Sequence, residues 1–472
     1  MRESDWDLLE RLAPGARAIG ADERRWLTKS EQLIAISTQS RDIYPVMDHS
    51  RGHGCWLYDL QGNEYLDVSS GVAVRALGVR YQPLVEFERE IAHVVEELPG
   101  QDFDHLPQVL LAERLAATAP GTFDKQVFFT TSGGRAVETA LKAAMDNTKR
   151  FRFVAFRPAF HGRTGFALSL TASKAVHRQH FPSALPIVRV PFSYCFRCPY
   201  GLKPDSCDAY CADQVTDACE KEGQDIAGVV VEPVAGEAGI VPAHPIFMAK
   251  LRRIADQLGA WLIVDEVQTG LGRTGRWWAI EHFGVVPDAI CSAKALGVGW
   301  PLGATITRSP MFSRGSRHSE TFSAEPRQAL LSLFYLREVE DKGYLENACR
   351  MGEVLMAGLR SLVEKHDCVG DARGIGLMAG IEIVDGKKSN RPDHVLRDEI
   401  LKAAVHRERL LALGAGERGG YQIVIAHIQR AHVGPADQPR FNLPQMLIEK
   451  GSHVLVADRV GQLIDEYLHL GR

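Results

Sequence analysis

Short runs of consecutive apolar residues, each ending at a polar or glycine-bearing stretch, recur through the middle of this chain. Trp261–Val264 sets four bulky apolar residues in a row without polar alternation, the pattern of a strand buried on both faces of a parallel sheet. Ala289–Ala293, Val127–Phe129, Arg152–Phe156 and Ala227–Val231 read the same way. Between these runs the period lengthens to that of a helix. Phe247, Leu251, Ile254 and Leu258 share one helical face with Gly259 in the usual stop position, and Ala136, Val137, Ala140, Leu141 and Ala144 form a second stripe. Residues 227–264 therefore predict a strand–helix–strand unit, and the alternation as a whole predicts an α/β fold with a mostly parallel central sheet flanked by helices. Residues 54–71 alternate apolar and polar positions around Gly62, which predicts a hairpin, and Leu377–Ile383 adds a later strand. Near the N-terminus, Trp6, Leu8, Leu9 and Leu12 fit one face of a helix.

The length, 472 residues, exceeds one ordinary domain and predicts two unequal ones. A formal net charge of −4 gives no sign of nucleic-acid or polybasic membrane binding, and no apolar run approaches the roughly 18 residues of a membrane span. Acidic residues stand among the first seven positions, where a targeting leader would be basic, so a cytoplasmic protein is expected. Nine scattered cysteines fit reduced thiols better than a disulfide scaffold. Four of them, Cys195, Cys198, Cys207 and Cys211, have the count and pairing of a tetrahedral thiolate site. The looser second pair and the absence of a zinc-ribbon context favour thiols without metal.

Candidate chemistry stands at the strand exits. Asp265 follows the Trp261 run, and Lys294 follows the Ala289 run. Ligands of open α/β sheets collect outside the carboxyl ends of strands, so both groups would face one crevice; alternatively they are solvated loop residues or a structural ion pair. Val127–Phe129 leads through Thr130, Thr131, Ser132, Gly133 and Gly134 into a helix, a geometry in which backbone N–H groups meet a phosphate, although many such turns bind nothing.

The segments DEVQTG at 265–270 and GRTG at 272–275, with Lys294 and Pro301-Leu302-Gly303, resemble the core of the class III aminotransferases, pyridoxal 5'-phosphate (PLP) enzymes of fold type I. Ser132, Gly133, Gly134 and Glu138, the stretch Glu232–Gly239, Thr321-Phe322 with Pro326, and Arg373–Gly376 extend the resemblance over about residues 40–400. The cysteine-bearing loop is similar to that of the archaeal-type aminotransferase and racemase branch. The resemblance implies an N-terminal helical arm over 1–40, a small domain from 41–75 and 336–472, and a large PLP-binding domain over 76–335.

For the site it implies a Schiff base to Lys294, which also carries the proton at the substrate carbon, and Asp265 facing the pyridine nitrogen. Phe160 would stack on the ring and Val267 lie on a ring face, with Gln268 near the phenolic oxygen and His161 close by. Ser132, Gly133 and Gly134 would hold the phosphate, and Glu232 would position neighbouring groups. Glu237 would sit near the substrate and pair with an arginine, for which Arg430 is a candidate. Thr321 would reach the phosphate of a neighbouring subunit's cofactor, which implies a homodimer with a composite site. Thr131, Arg135, Ser323, Ala324 and Glu325 depart from the family pattern. The implied function is transfer of an amino group from an amino acid or ω-amine to a 2-oxo acid. A PLP-dependent racemase or epimerase is the alternative, and a PLP-fold protein without turnover a third. Lys294 and Asp265 serve transfer and racemisation alike; Glu237 favours transfer, because an acid that releases a cation is useful when differently charged substrates share a site.

Overall fold

The computed structural model describes residues 23–35, 43–98, 100, 102–415 and 420–424. The expected helix around Trp6–Leu12 and the candidate Arg430 lie outside the described residues.

Among these residues the largest sheet has seven strands: β1 (Lys125–Thr130), β2 (Arg152–Arg157), β3 (Ile187–Pro191), β4 (Ile226–Val231), β5 (Trp261–Asp265), β6 (Ala289–Ser292) and β7 (Gly303–Arg308). Their spatial order is β1-β7-β6-β5-β4-β2-β3. The neighbours from β6 to β3 are parallel; β7 runs antiparallel to both β6 and β1. The sheet is therefore mostly parallel, as the apolar runs predict, and all its strands but β7 point their carboxyl ends to the same edge.

The lack of alternation in these strands has a direct cause. Leu262 and Val264 face one core, shared with Val229, Val231 and Ile290. Trp261 and Ile263 face a second, shared with Val230, Ala289 and Cys291. Both faces are covered by helices, and each fully buried aliphatic side chain contributes about 2 kcal/mol. Helix α1 (Gly133–Thr148) covers the second core with Ala136, Val137, Ala140, Leu141 and Ala144 buried. Helix α2 (Pro245–Leu258) buries Phe247, Leu251 and Ile254 against the first, ends at Gly259 with φ +59°, and returns the chain into β5. A side chain at that φ meets its own carbonyl, so glycine is the residue that ends the helix without strain.

The hairpin Trp56–Tyr58 and Glu64–Asp67 accepts Leu410–Leu411 as a parallel third strand, so segments far apart in the sequence share one small sheet. Val369–Ile375, Met378–Ile383 and Gly420–Val424 form an antiparallel sheet. Gly376, at φ +57°, lies so near Thr274 that a β-carbon there would come within 2.5 Å of the Thr274 backbone, and Leu377 N–H donates to Arg273 O at 3.1 Å. This later sheet is thereby fixed against the loop that follows β5.

Candidate active site

Three neighbouring parallel strands deliver three titratable groups. Glu232 follows β4, Asp265 ends β5, and Lys294 stands two residues beyond β6. Cys291 pairs with Asp265 across β6 and β5, so the carboxylate and the lysine leave the sheet side by side. Glu232 and Asp265 are buried, while Lys294 is partly exposed in the cleft. The lysine has φ +46°, a left-handed conformation that costs a residue with a side chain roughly 1–2 kcal/mol. Burial lowers its ammonium to about 8; the charges of Asp265, Glu232 and Glu237 oppose the shift, and Arg273 adds to it. All three carboxylates are thus within electrostatic reach of the amine.

His161 comes from the loop after β2. Its Nδ1 lies 2.8 Å from Asp265 Oδ2, and both side chains are buried. Burial alone would lower the imidazolium, but the hydrogen bond and charge of Asp265 outweigh it and raise His161 above the usual range. The other Asp265 oxygen accepts the Val267 N–H at 3.0 Å. Glu232 bridges two loops by accepting the N–H of Phe160 at 3.0 Å and of Gly236 at 3.1 Å. Burial raises its carboxyl, with the His161 charge in opposition. Contact with Asp265 gives His161 a more definite place than the proximity its sequence context implies.

The glycine loop sits beside this group. Ser132 has extended φ/ψ and caps α1, its hydroxyl accepting the Arg135 N–H at 3.4 Å. The N–H groups of Gly133 and Gly134 head the helix, where no preceding turn can accept them. A β-carbon at Gly133 would stand 2.6 Å from a Val267 methyl, so glycine lets the helix end close onto the loop after β5. A similar approach holds Gln268: its amide oxygen would be 1.8 Å from a β-carbon on Gly236. Phe160 packs edge-on against His177, with ring centroids 5.6 Å apart.

Two departures from the family pattern prove to be neighbours. Glu320 accepts the Thr131 N–H at 2.9 Å and its hydroxyl at 2.5 Å, and its other oxygen lies 3.4 Å from Arg135 Nε. Arg135 thus sets a cation beside the acid that holds Thr131. Thr321 and Phe322 next to it are exposed. Glu237 pairs with Lys174 Nζ at 2.7 Å, so the cation it meets among the described residues is a lysine. Nothing in the Thr-Ala-Ser-Lys stretch marks Lys174 in the sequence; only the fold brings it across 63 residues of chain. Glu266, buried beneath the site, accepts the Ile280 N–H at 2.8 Å and is raised by burial to about 7.

The model of the family described as aminotransferase class-III matches residues 36–425. The chain belongs to that family. It is 33% identical over 392 residues to 4-aminobutyrate aminotransferase GabT of Escherichia coli, covering 81% of this chain and 89% of that enzyme. A leucine/methionine racemase of Thermococcus litoralis is 32% identical over 74% of the chain and 80% of its own length. Among solved structures, an (S)-enantioselective ω-transaminase from Thermomicrobium roseum superposes with a TM-score of 0.81 at 26% identity, covering 94% of this chain and 99% of that one. The protein is a PLP-dependent aminotransferase of fold type I. The residues present suit that cofactor: a glycine-opened helix N-terminus for a phosphate, a buried carboxylate braced by His161 for a ring nitrogen, and an amine with a lowered pKa for an aldehyde.

Proposed function

We propose that this aminotransferase moves an amino group from a carboxylate-bearing amino acid or ω-amine to a 2-oxo acid. The observation that carries this reading is the convergence of Glu232, Asp265 and Lys294 at three adjacent strand ends, with the Lys174–Glu237 ion pair within electrostatic reach of the lysine. When bound, PLP supplies an aldehyde for the amine and a protonated ring that stores the electron pair left at the substrate carbon.

The protein's part follows from its geometry. Lys294, with its ammonium lowered by burial, would offer that aldehyde a neutral amine and would move the proton at the substrate carbon. Asp265, braced by His161, would face the pyridine nitrogen and favour a proton there. Phe160 and Val267 would hold the ring, and Gln268 would meet its phenolic oxygen. Ser132, Gly133 and Gly134 would bind the phosphate, and Glu232 ties the loops carrying Phe160 and Gly236 together. Lys174 is the cation that Glu237 meets among the described residues, and in this reading it takes the role that the family resemblance gives to an arginine. With a dicarboxylate bound, the lysine pairs with the distal carboxylate; with a monoamine it returns to Glu237. Exposed Thr321 would reach the phosphate of the cofactor in a partner subunit of a homodimer, and the protein works in the cytoplasm.

Adding amino donors to the yellow holoenzyme will bleach its visible band, and 2-oxoglutarate or pyruvate will restore it. Lys174→Met will raise KM for acceptors with a second carboxylate by roughly ten- to hundredfold, the value of a charged hydrogen bond, and change kcat less. An equal loss with pyruvate and 2-oxoglutarate would remove Lys174 from the substrate site. Racemisation of an enantiopure amino acid without any acceptor, and without bleaching, would move the activity to the racemase alternative.

A further inference from the structure

Phe160 follows β2 after Pro158 and Ala159, and its backbone N–H is tied to Glu232. Its ring is another matter. A phenyl group carries no polar atom to anchor it, so its orientation depends on the side chains that pack against it. A turn about the ring bond exchanges face for edge, and a residue meant to lie flat against a cofactor then loses its contact.

One of the groups packed against this ring is His177, the last residue of the short turn Ala175–His177 in the loop after the helix Gly165–Leu170. The two rings meet in a T-shaped contact, with planes at 76° and centroids 5.6 Å apart, an arrangement that aromatic quadrupoles favour. Both imidazole nitrogens of His177 are also engaged. Nδ1 lies 3.2 Å from the hydroxyl of buried Ser173, and Nε2 lies 3.4 Å from Arg163 Nη2. A guanidinium can only donate, so Nε2 accepts and the neutral ring carries its proton on Nδ1, directed at Ser173 Oγ. Arg163 closes the figure, its guanidinium carbon 5.7 Å from the Phe160 ring centroid. Phe160, Arg163 and His177 thus form a triangle in which each touches the other two.

Closing its own loop would require of His177 only the Ser173 contact. The contacts to Phe160 and Arg163 instead cross to the loop that follows β2. Lys174 stands between Ser173 and the turn, and its Nζ pairs with Glu237 at 2.7 Å. One short segment therefore carries the cation that meets Glu237 and, on its last residue, a brace for the ring of Phe160.

We propose that His177 is a positioning residue, which holds the Phe160 ring in the orientation that lies against the cofactor. This rests on the placement of Phe160 against the cofactor ring proposed above. His177 touches neither cofactor nor substrate in this role; it acts through Phe160, with Ser173 and Arg163 fixing the imidazole that does so.

The test uses the holoenzyme and reads two properties besides turnover: the circular dichroism of the visible cofactor band, and the rate at which cofactor is lost on dilution. His177→Ala should weaken the dichroism and speed cofactor loss by roughly two- to tenfold, the value of one aromatic pair. His177→Phe keeps an aromatic ring beside Phe160 and discards the polar contacts, and should recover most of both. Dichroism and retention left unchanged by His177→Ala overturn the proposal. An equal loss in His177→Phe overturns it as well, because the aromatic contact is then not what holds the ring. Phe160→Leu separates this role from the placement it rests on. If that substitution alters neither readout, Phe160 does not face the cofactor and both fail; if it alters them while His177→Ala does not, only the role of His177 falls.

Discussion

Lys294 combines a left-handed backbone with an ammonium lowered to about 8, so its chemistry depends on pH in a definite direction. Below about 8 the amine is protonated and cannot attack; above it the neutral form dominates. The rate of PLP uptake by cofactor-free protein is therefore expected to rise with pH and level off above about 8, and Lys294→Ala should abolish both uptake into a reducible linkage and turnover. The neighbouring anions hold the lysine higher than burial alone would, so Asp265→Asn should move the midpoint of the uptake profile to lower pH. An unchanged midpoint, measured by stopped-flow absorbance, would separate the two residues electrostatically. Asp265 and Lys294 were legible in the sequence because each closes an apolar run. Their partners were not: the His161–Asp265 and Lys174–Glu237 contacts span 104 and 63 residues, and a single sequence carries no mark of such pairings.

At the scale of elements, the site exists because β4, β5 and β6 are parallel neighbours that stop within a residue or two of one another. Those strands could be read directly, since burial on both faces leaves no polar alternation. Strand β7 was harder to see. Its sequence, Gly-Ala-Thr-Ile-Thr-Arg, carries threonines that are fully buried, and Thr305 is accommodated by donating to Ala136 O at 2.7 Å. A hydroxyl satisfied by a helix carbonyl reads as polar in the sequence and behaves as core in the fold. The start of α1 is equally specific: Gly133→Ala would drive a β-carbon to 2.6 Å from Val267. The helix end must then retreat from the loop after β5, and PLP retention should weaken by about tenfold or more, measured as the dissociation constant of the cofactor. Combining it with Val267→Ala should restore part of that loss. If the single substitution leaves retention unchanged, the close approach of helix and loop does not shape the phosphate cradle.

Over the whole molecule, one buried acid connects three regions that are distant in sequence. Glu382, in the strand Met378–Ile383, accepts from Tyr194 and Arg197 at the base of the cysteine loop and from Arg373 Nη2 at 2.7 Å. Arg373 in turn donates to Gly239 O at 2.8 Å and Ile240 O at 3.1 Å, at the end of the loop that carries Glu237. The cysteine loop, the later sheet and the substrate loop are thus tied through one carboxylate that is almost wholly buried. Removing one partner of a buried ionic network is costly because the remaining charges lose their compensation, typically by about 3–5 kcal/mol. Glu382→Leu leaves both Arg197 and Arg373 without that anion and should destabilise the protein by this order in urea unfolding. Arg373→Met is the more informative change. It frees the carbonyls of Gly239 and Ile240 while leaving Glu382 its bonds to Tyr194 and Arg197, so Glu237 loses the fixed position that lets it compete for Lys174. The expected outcome is a raised KM for dicarboxylic acceptors with the visible cofactor band intact. An equal fall in kcat for every acceptor would instead assign Arg373 to the general stability of the site.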